Sequence, residues 1–120
     1  MKGGLIMSDC LFCKIVNKEI DTDLVYEDDK VIVFEDIKPQ APVHLLIVPK
    51  EHVENILKLD DKEFDIISHI HKVAVKMAEK YDLSDEGFRL VNNNKEKAGQ
   101  SIFHIHYHLL GGRQMQWPPG

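Results

Sequence analysis

The chain has 120 residues, of which 43% are hydrophobic and 29% charged, a composition that fits one globular domain. Its 15 Lys and Arg against 20 Asp and Glu give a formal net charge of −5. This charge disfavours DNA and RNA as partners, because nucleic-acid affinity depends on neutralised phosphates, but it leaves room for a single nucleotide in a local pocket.

The N-terminal residues predict neither export nor membrane insertion. Residues 1–7 carry one charge and a short apolar step, whereas a signal-peptide core needs roughly 7–15 apolar residues and a membrane helix roughly 18. We therefore expect a cytoplasmic protein with no membrane partner and with reduced thiols. Residues 1–9 are expected to be an extension, with Met7 as a possible start, and residues 10–120 a single domain.

The first half of the chain predicts a short helix followed by three strands. β-Branched and aromatic residues on both sides of a polar turn are typical of a β-hairpin. Pro39 and Pro42 then bracket a loop before the third strand, because proline cannot donate to a ladder. The helix is expected within residues 12–20 and the strands at residues 24–27, 31–34 and 44–48.

The second half predicts one long helix and two more strands. Asp60, with Glu63 three residues later, has the capping-box pattern, and apolar residues then recur at helical spacing as far as Tyr81. Strands are expected at residues 88–92 and 103–110. This order predicts an α+β fold with a five-stranded, mostly antiparallel sheet. A single long helix leaves one sheet face thinly covered, which favours a homodimer.

The fifth strand alternates strictly between histidine and apolar residues. Residues two apart on a strand face the same side, so His104, His106 and His108 are expected to form one row. A merely polar outer face is a poor explanation, since three protonated imidazoles would repel one another. By contrast, His69 and His71 point in different directions from the helix and are expected at the surface.

Two kinds of chemistry fit the histidine row. Imidazoles at i and i+2 can chelate a catalytic zinc ion that keeps one open position. Alternatively, His106 is a nucleophile or base that its neighbours orient. Residues 98–101, just upstream, supply a glycine, an amide and a hydroxyl. Such turns bind anions, which favours chemistry at phosphorus.

The histidine row and the tail, residues 104–120, resemble the signature of the histidine triad (HIT) family, and the tail looks like its Hint branch of nucleotide-binding phosphoramidases. The resemblance continues at residues 36–44 and 48–52 and spans residues 10–120. It implies a homodimeric HIT-like domain that hydrolyses a purine nucleotide substrate, such as a nucleoside phosphoramidate or an acyl-nucleotide. A non-enzymatic nucleotide- or protein-binding adaptor and a dinucleoside polyphosphate hydrolase are the alternatives.

The resemblance also implies roles for individual residues. His106 would attack the α-phosphorus and form a nucleotidyl-histidine that water converts to a nucleoside monophosphate. His108 would contact phosphate, Ser101 would lie near the leaving group, His44 would stand beside the triad and Asp36 would bind the ribose hydroxyls. The remaining nucleotide-binding positions are Phe12, Ile15, Phe34 and Ile37 around the base and Asn93, Gly99 and Gln100 near the phosphates.

Two of these sets have alternatives. Each of the four apolar residues fits ordinary core packing nearly as well as a base pocket. Asn92 and Asn94 flank Asn93, so the asparagine assignment is open by one position.

Cys10 and Cys13 have the two-residue spacing of half a zinc site. The alternative is a pair of small reduced side chains near a terminus; a redox role is disfavoured because no βαβ pattern surrounds the pair. Resemblance to bacterial-type HIT proteins implies that His52 and His104 complete the shell. A Cys₂His₂ shell has no open position, so the zinc would be structural, and His104 would be a ligand rather than a catalyst.

Two segments depart from the Hint pattern. Gln116 stands where the Hint tail often carries histidine, and residues 95–98 replace a loop that is richer in glycine and acidic residues. We expect the first change to alter substrate preference and the second to make the phosphate-side loop more positive. Neither change touches His106.

Overall fold

Five strands form one antiparallel sheet in the computed structural model, which describes residues 9–120. The strands are β1 (Tyr26–Glu27), β2 (Val31–Glu35), β3 (Val43–Pro49), β4 (Phe88–Val91) and β5 (Tyr107–Gly111). Their order across the sheet is β1-β2-β3-β5-β4, so β5 returns between β3 and β4. The predicted α+β fold and its five strands are confirmed, while the predicted extension lies outside the described residues except for Asp9.

Two α-helices accompany the sheet: α1 (Leu11–Val16) and α2 (Asp65–Lys80). The predicted capping box forms, since the side chain of Asp60 accepts from the backbone N–H of Glu63 and the side chain of Glu63 accepts from the N–H of Asp60. It opens a 3₁₀ turn, Asp61–Phe64, that leads directly into α2. Within residues 9–120, no helix has both the length and the apolar character needed to cross a membrane.

Each face of the sheet has its own apolar cluster. On one face, alternate residues of the central strands pack against the buried side of α2, and the cluster includes Val33, Leu45, Ile47, Val73 and Met77. On the other face, the shorter α1 packs over the opposite set of residues, and this cluster includes Phe12, Ile15, Ile32, Phe34 and Leu46. Burying one such aliphatic side chain stabilises the fold by roughly 1.5–3 kcal/mol. The period-2 alternation of the strands therefore assigns one face to α2 and the other to the site described below.

β5 is shorter at its start than the sequence pattern predicts. It begins at Tyr107, so His108 lies in the strand whereas His104 and His106 precede it. The backbone before the strand leaves the ladder because other partners take its hydrogen bonds: the N–H of His104 donates to the carbonyl of Ile102, and the N–H of Ile105 donates to the carbonyl of Val53. The prediction that all three histidines belong to one regular strand is therefore wrong in extent.

Candidate active site and metal centre

Three imidazoles lie side by side on the face of the sheet that carries α1. His44 comes from β3, His108 from β5 and His106 from the segment just before β5. The ring centres of His106 and His108 are 5.2 Å apart, and those of His108 and His44 are 5.1 Å apart. Phe12 of α1 packs edge-on against His106, with 5.0 Å between the ring centres. The structure therefore brings together the predicted nucleophile, the predicted phosphate contact and His44.

One ring nitrogen of His106 has a free lone pair. Its Nδ1 lies 2.8 Å from the carbonyl oxygen of His104. A carbonyl only accepts, so Nδ1 carries the proton and Nε2 is bare. Burial lowers the pKa of His106, and this effect outweighs the opposing influence of the His104 carbonyl and of Asp36. A neutral imidazole with a bare Nε2 is the form that can act as a nucleophile at neutral pH.

His44 and His108 are joined directly. Nε2 of His44 is 2.9 Å from Nδ1 of His108, and Nδ1 of His44 accepts from the backbone N–H of Gln40 at 3.0 Å. Burial lowers the pKa of both rings, in the case of His108 to about 4, to which the neighbouring His106 and His44 also contribute. Both rings are therefore neutral at pH 7. Because Nδ1 of His44 accepts, its Nε2–H donates to Nδ1 of His108, which leaves the proton of His108 on Nε2.

A cluster of candidate metal ligands, which contains both cysteines, lies on the other side of His106. Cys10 caps α1 and Cys13 follows in its first turn. Sγ of Cys10 is 3.3 Å from Nδ1 of His104, and Sγ of Cys13 is 3.2 Å from Nδ1 of His52. The two imidazole Nδ1 atoms are themselves 3.2 Å apart, and all four donor atoms lie within 4.8 Å of one another.

The chemistry of this cluster fits zinc. Two sulfur and two nitrogen donors are the set that tetrahedral structural zinc prefers. Nε2–H of His104 donates to the carbonyl of Pro49 at 2.7 Å, which fixes the ring so that its Nδ1 lone pair faces the thiols. Burial, together with the nearby Cys10, raises the pKa of Cys13 to about 12, so a bound cation is what would hold Cys13 as a thiolate. The four predicted ligands could therefore hold zinc.

The residues expected to surround the ribose and the base divide into two groups. Phe12, Ile15 and Phe34 are buried in the cluster beneath α1, whereas Ile37 is 92% exposed. Asp36 lies beside His44, with 3.5 Å between its Oδ2 and Nε2 of that ring, and its Oδ1 accepts from the N–H of Lys38 at 2.8 Å. That these residues bind the ribose and the base of a nucleotide stays a prediction.

The loop before the histidines places Asn93 and Gly99 together. A Cβ atom at Gly99, whose φ is +98°, would lie 3.7 Å from Nδ2 of Asn93. Lys95 is the first residue of the segment, residues 95–98, that differs from the Hint pattern. Its φ of 73° lies in a region that favours glycine. The replacement of a glycine-rich loop therefore leaves one non-glycine residue in a strained backbone conformation.

Gln100 and Ser101 have different surroundings. The amide of Gln100 is buried, donates to the carbonyl of Glu54 at 2.6 Å and accepts from the N–H of Lys95 at 2.7 Å, so it holds the loop in place. Ser101 is exposed and lines a cavity of about 330 Å³ next to Cys10 and the other residues near the metal cluster. Their roles toward a nucleotide stay predictions.

Some contributors to the site have no sequence signature. Gln40 acts through its backbone N–H and Pro49 through its carbonyl, groups that almost every residue carries. Asn92 donates to the carbonyl of His106 at 3.1 Å. For Asn92 a signal exists in the run of three asparagines before the loop, but that run does not say which member faces which partner.

Comparison with known proteins agrees with this geometry. The family model of the HIT domain matches residues 17–115. A 14 kDa zinc-binding protein of Brassica juncea is 47% identical over 114 residues, covering 93% of this chain and 100% of the relative. Adenylylsulfatase HINT1 of Arabidopsis thaliana is 45% identical over 115 residues, covering 94% and 78%. The crystal structure of a HIT family hydrolase from Legionella pneumophila superimposes with a TM-score of 0.91 at 49% identity, covering 93% and 100%.

Proposed function

This chain belongs to the HIT domain family, and we propose that it is a nucleotide hydrolase that cleaves nucleoside phosphoramidates or acyl-nucleotides at the α-phosphorus. The observation that carries the proposal is the ring of His106, which is neutral, held by the His104 carbonyl through Nδ1–H, and bare at Nε2. The relatives support a hydrolytic reaction on a nucleotide, since one is named a HIT family hydrolase and another an adenylylsulfatase.

The reaction would proceed in two displacements at phosphorus. Nε2 of His106 attacks the α-phosphorus, and the bond to the leaving nitrogen or acyl oxygen breaks with its electron pair. An amine leaves after taking up one proton; an acyl group leaves as a carboxylate. Water then attacks the same phosphorus and gives up a proton, the P–Nε2 bond breaks, and a nucleoside monophosphate and neutral His106 are released.

The neighbouring residues would bind and orient the nucleotide. His108 would donate to a phosphate oxygen, and Asp36 would accept from the ribose hydroxyls. Asn93 and Gly99, which lie together in the loop, would contact the phosphate side. Zinc, when bound by the cysteine–histidine cluster, would supply a structural cross-link between α1 and the segment that carries His106.

A fluorogenic adenosine phosphoramidate tests this proposal. We expect the wild-type chain to release AMP, and His106→Ala to lose turnover by at least about 10³-fold, because the covalent route is removed, while AMP binding is retained. The matched control is His71→Ala, a histidine exposed on α2. Acid quenching during turnover should trap a nucleotide adduct in the wild-type chain only.

Two outcomes would overturn the proposal. Turnover that survives in His106→Ala would remove the nucleophile assignment. A wild-type chain that binds AMP tightly but turns over neither phosphoramidates nor acyl-nucleotides would instead favour the adaptor function.

We also propose that the protein is a cytoplasmic homodimer. β4 is an edge strand of the sheet, and Phe88 at its start is 38% exposed. An unpaired strand edge beside an exposed aromatic side chain suits pairing with a second copy. The reducing cytoplasm would keep Cys10 and Cys13 reduced, as zinc binding requires.

A further inference from the structure

The backbone at His106 lies where the hydrogen-bond ladder of the sheet stops. β4 ends at Val91, which pairs with His108, and β5 begins at Tyr107. The ladder between these two strands therefore ends before it reaches His106. The residue whose ring must be aimed most accurately thus depends on side chains to hold its main chain.

The side chain of Asn92 takes over at this point. Its Nδ2 donates to the carbonyl oxygen of His106 at 3.1 Å. Its Oδ1 accepts from Nδ2 of Asn94 at 2.8 Å, and Oδ1 of Asn94 accepts from the backbone N–H of Ile56 at 3.0 Å. A chain of hydrogen bonds therefore runs from Ile56 through both asparagines to the nucleophile.

Both ends of this chain fix the direction of the two amides. The N–H of Ile56 can only donate and the carbonyl of His106 can only accept, so each amide has a single orientation that satisfies every contact. Reversing either amide would set two donors or two acceptors against each other and leave half-buried polar groups without a hydrogen bond, which is unfavourable. The chain is therefore a rigid link.

A second contact closes a frame around the nucleophile. The N–H of Ile105 donates to the carbonyl of Val53 at 2.8 Å, and Val53 and Ile56 both belong to the segment between β3 and α2. The main chain is thus held on both sides of His106, before it through Val53 and after it through Asn92. The ring extends from this fixed backbone, and its Nδ1–H is held by the carbonyl of His104.

We propose that Asn92 is a positioning residue for His106, holding its carbonyl so that Nε2 stays aimed at the α-phosphorus. This inference rests on the proposed function, since it needs His106 as the nucleophile. A misplacement of about 1 Å at the reacting atom can cost a hundredfold in rate. Asn92 makes its contacts behind the nucleophile, so its loss should lower kcat and leave KM nearly unchanged.

Two substitutions at Asn92 test this role. Asn92→Ala should lower kcat for the phosphoramidate by about tenfold to a hundredfold, with KM within about twofold of wild type. Asn92→Asp has the same shape but cannot donate to the carbonyl of His106, so it should recover nothing. Asn94→Ala should have a smaller effect. The double variant, Asn92→Ala with Asn94→Ala, should be no slower than Asn92→Ala alone, because both act through one chain.

A control of matched stability separates positioning from general damage. Val73→Ala removes a buried side chain on the opposite face of the sheet, and should lower the melting temperature with kcat unchanged well below it. A kcat for Asn92→Ala that equals that of Val73→Ala would overturn the proposal, as would a loss confined to KM.

A spectroscopic measurement keeps the two proposals distinguishable. The ¹⁵N signals of the His106 ring, assigned by their absence in His106→Ala, should report an Nδ1–H tautomer in the wild type. In Asn92→Ala both signals should shift, because the loosened backbone moves the ring and weakens its Nδ1–H contact with the His104 carbonyl. If the wild type has no turnover, the proposed function fails, and identical ring signals in the two proteins would then refute the positioning role independently.

Discussion

Two clusters in this protein have donor atoms close enough together to bind a metal ion, yet the imidazole rings of one favour metal binding and those of the other favour hydrogen bonding. The first contains Cys10, Cys13, His52 and His104, and the second contains Asp36, His44 and His108. In each cluster the candidate ligand atoms lie within 4.8 Å of one another. What separates them is the partner of the second nitrogen on each ring.

In the first cluster the second nitrogen favours a metal. Nε2 of His104 donates its proton to the carbonyl of Pro49, so the neutral ring has its lone pair on Nδ1, and Nδ1 is the atom that faces the thiols. A metal-binding histidine typically donates from its other nitrogen in this way. The backbone of β3 therefore selects the tautomer that zinc needs.

In the second cluster the second nitrogen favours a hydrogen bond. Nδ1 of His44 accepts from the N–H of Gln40, so a neutral ring must carry its proton on Nε2. That proton points at Nδ1 of His108, 2.9 Å away, with Asp36 farther off at 3.5 Å. A metal at this position would need the lone pair that the proton occupies. Donor spacing alone therefore does not define a metal site; the tautomer decides.

Removal of the metal from the first cluster is expected to give the largest effect. We expect one zinc ion per chain, and we expect chelation to lower the free energy of unfolding by about 4 kcal/mol, the stabilisation that a ligand provides at about 1,000 times its Kd. Cys13→Ser should have a similar effect, because it removes a thiolate ligand. Elemental analysis and thermal unfolding with and without chelator measure these changes.

The second cluster supplies the control. His44→Ala should retain one zinc ion per chain, because His44 is not among the ligands, whereas two zinc ions in the wild type would contradict the tautomer argument. Gradual chelation also tests the alternative of a catalytic zinc. A structural ion predicts that folding is lost before or together with activity, while a catalytic ion predicts that activity is lost from a folded chain.

Breaking the hydrogen bond in the second cluster is expected to have the next largest effect. His44→Phe keeps a ring in place but removes the donor to Nδ1 of His108. His108 can then carry its proton on Nδ1 and present a bare Nε2 to the phosphate. We expect kcat to fall by about a hundredfold, the lower end of the range for loss of a single donor to a charged transition state.

His71→Phe is the matched control for that measurement, because His71 is exposed on α2. It should leave kcat unchanged. Wild-type turnover in His44→Phe would mean that another group sets the tautomer of His108, and the contrast between the two clusters would lose its functional meaning.

Most of the fold could be predicted from the sequence because its signals are local. The capping box at Asp60 and the hairpin formed by β1 and β2 depend on neighbouring residues. The start of β5 could not be predicted in this way. There the alternation continues in the sequence, but a backbone group 52 residues away in the chain, the carbonyl of Val53, captures the N–H of Ile105 and ends the strand early.

The site divides along the same line. The histidine pattern and the Cys10–Cys13 spacing are visible in the sequence, and the resemblance to a known family joined His104 and His52 to the cysteines. The family resemblance implies that a backbone carbonyl fixes the tautomer of His106, as the His104 carbonyl does. The tautomers of His44 and His108 could not be predicted, because they depend on the backbone N–H of Gln40, a group that almost every residue carries. Side-chain identity predicts which atoms are present, and only the fold determines which partner holds each proton.

A third histidine environment provides a baseline for the other two. His69 was expected at the surface, but its Nε2 lies 2.8 Å from Oδ2 of Asp28 and its side chain is only 27% exposed. Asp28 also accepts from the N–H groups of Lys30 and Val31 and from the hydroxyl of Tyr26. The carboxylate of Asp28 thus joins four groups, and this contact stabilises the fold without belonging to either cluster. Asp28→Asn should cost about 1 kcal/mol of stability at pH 7.

The pH dependence of that loss follows from the pKa of Asp28. Burial by itself would raise this pKa, but the hydrogen bonds from Lys30, Val31, His69 and Tyr26 outweigh it and hold the pKa well below the ordinary value of 3.8. A lowered carboxylate pKa stabilises the fold above the ordinary pKa and stops doing so as the pH falls toward the folded one. The stability gap between wild type and Asp28→Asn should therefore be complete above about pH 5 and shrink by pH 3, as urea unfolding at both values would measure.

Asp29→Asn, at the exposed neighbouring position, should show no such gap. A gap of equal size at pH 3 would mean that the shape of the side chain, and not its charge, stabilises this turn.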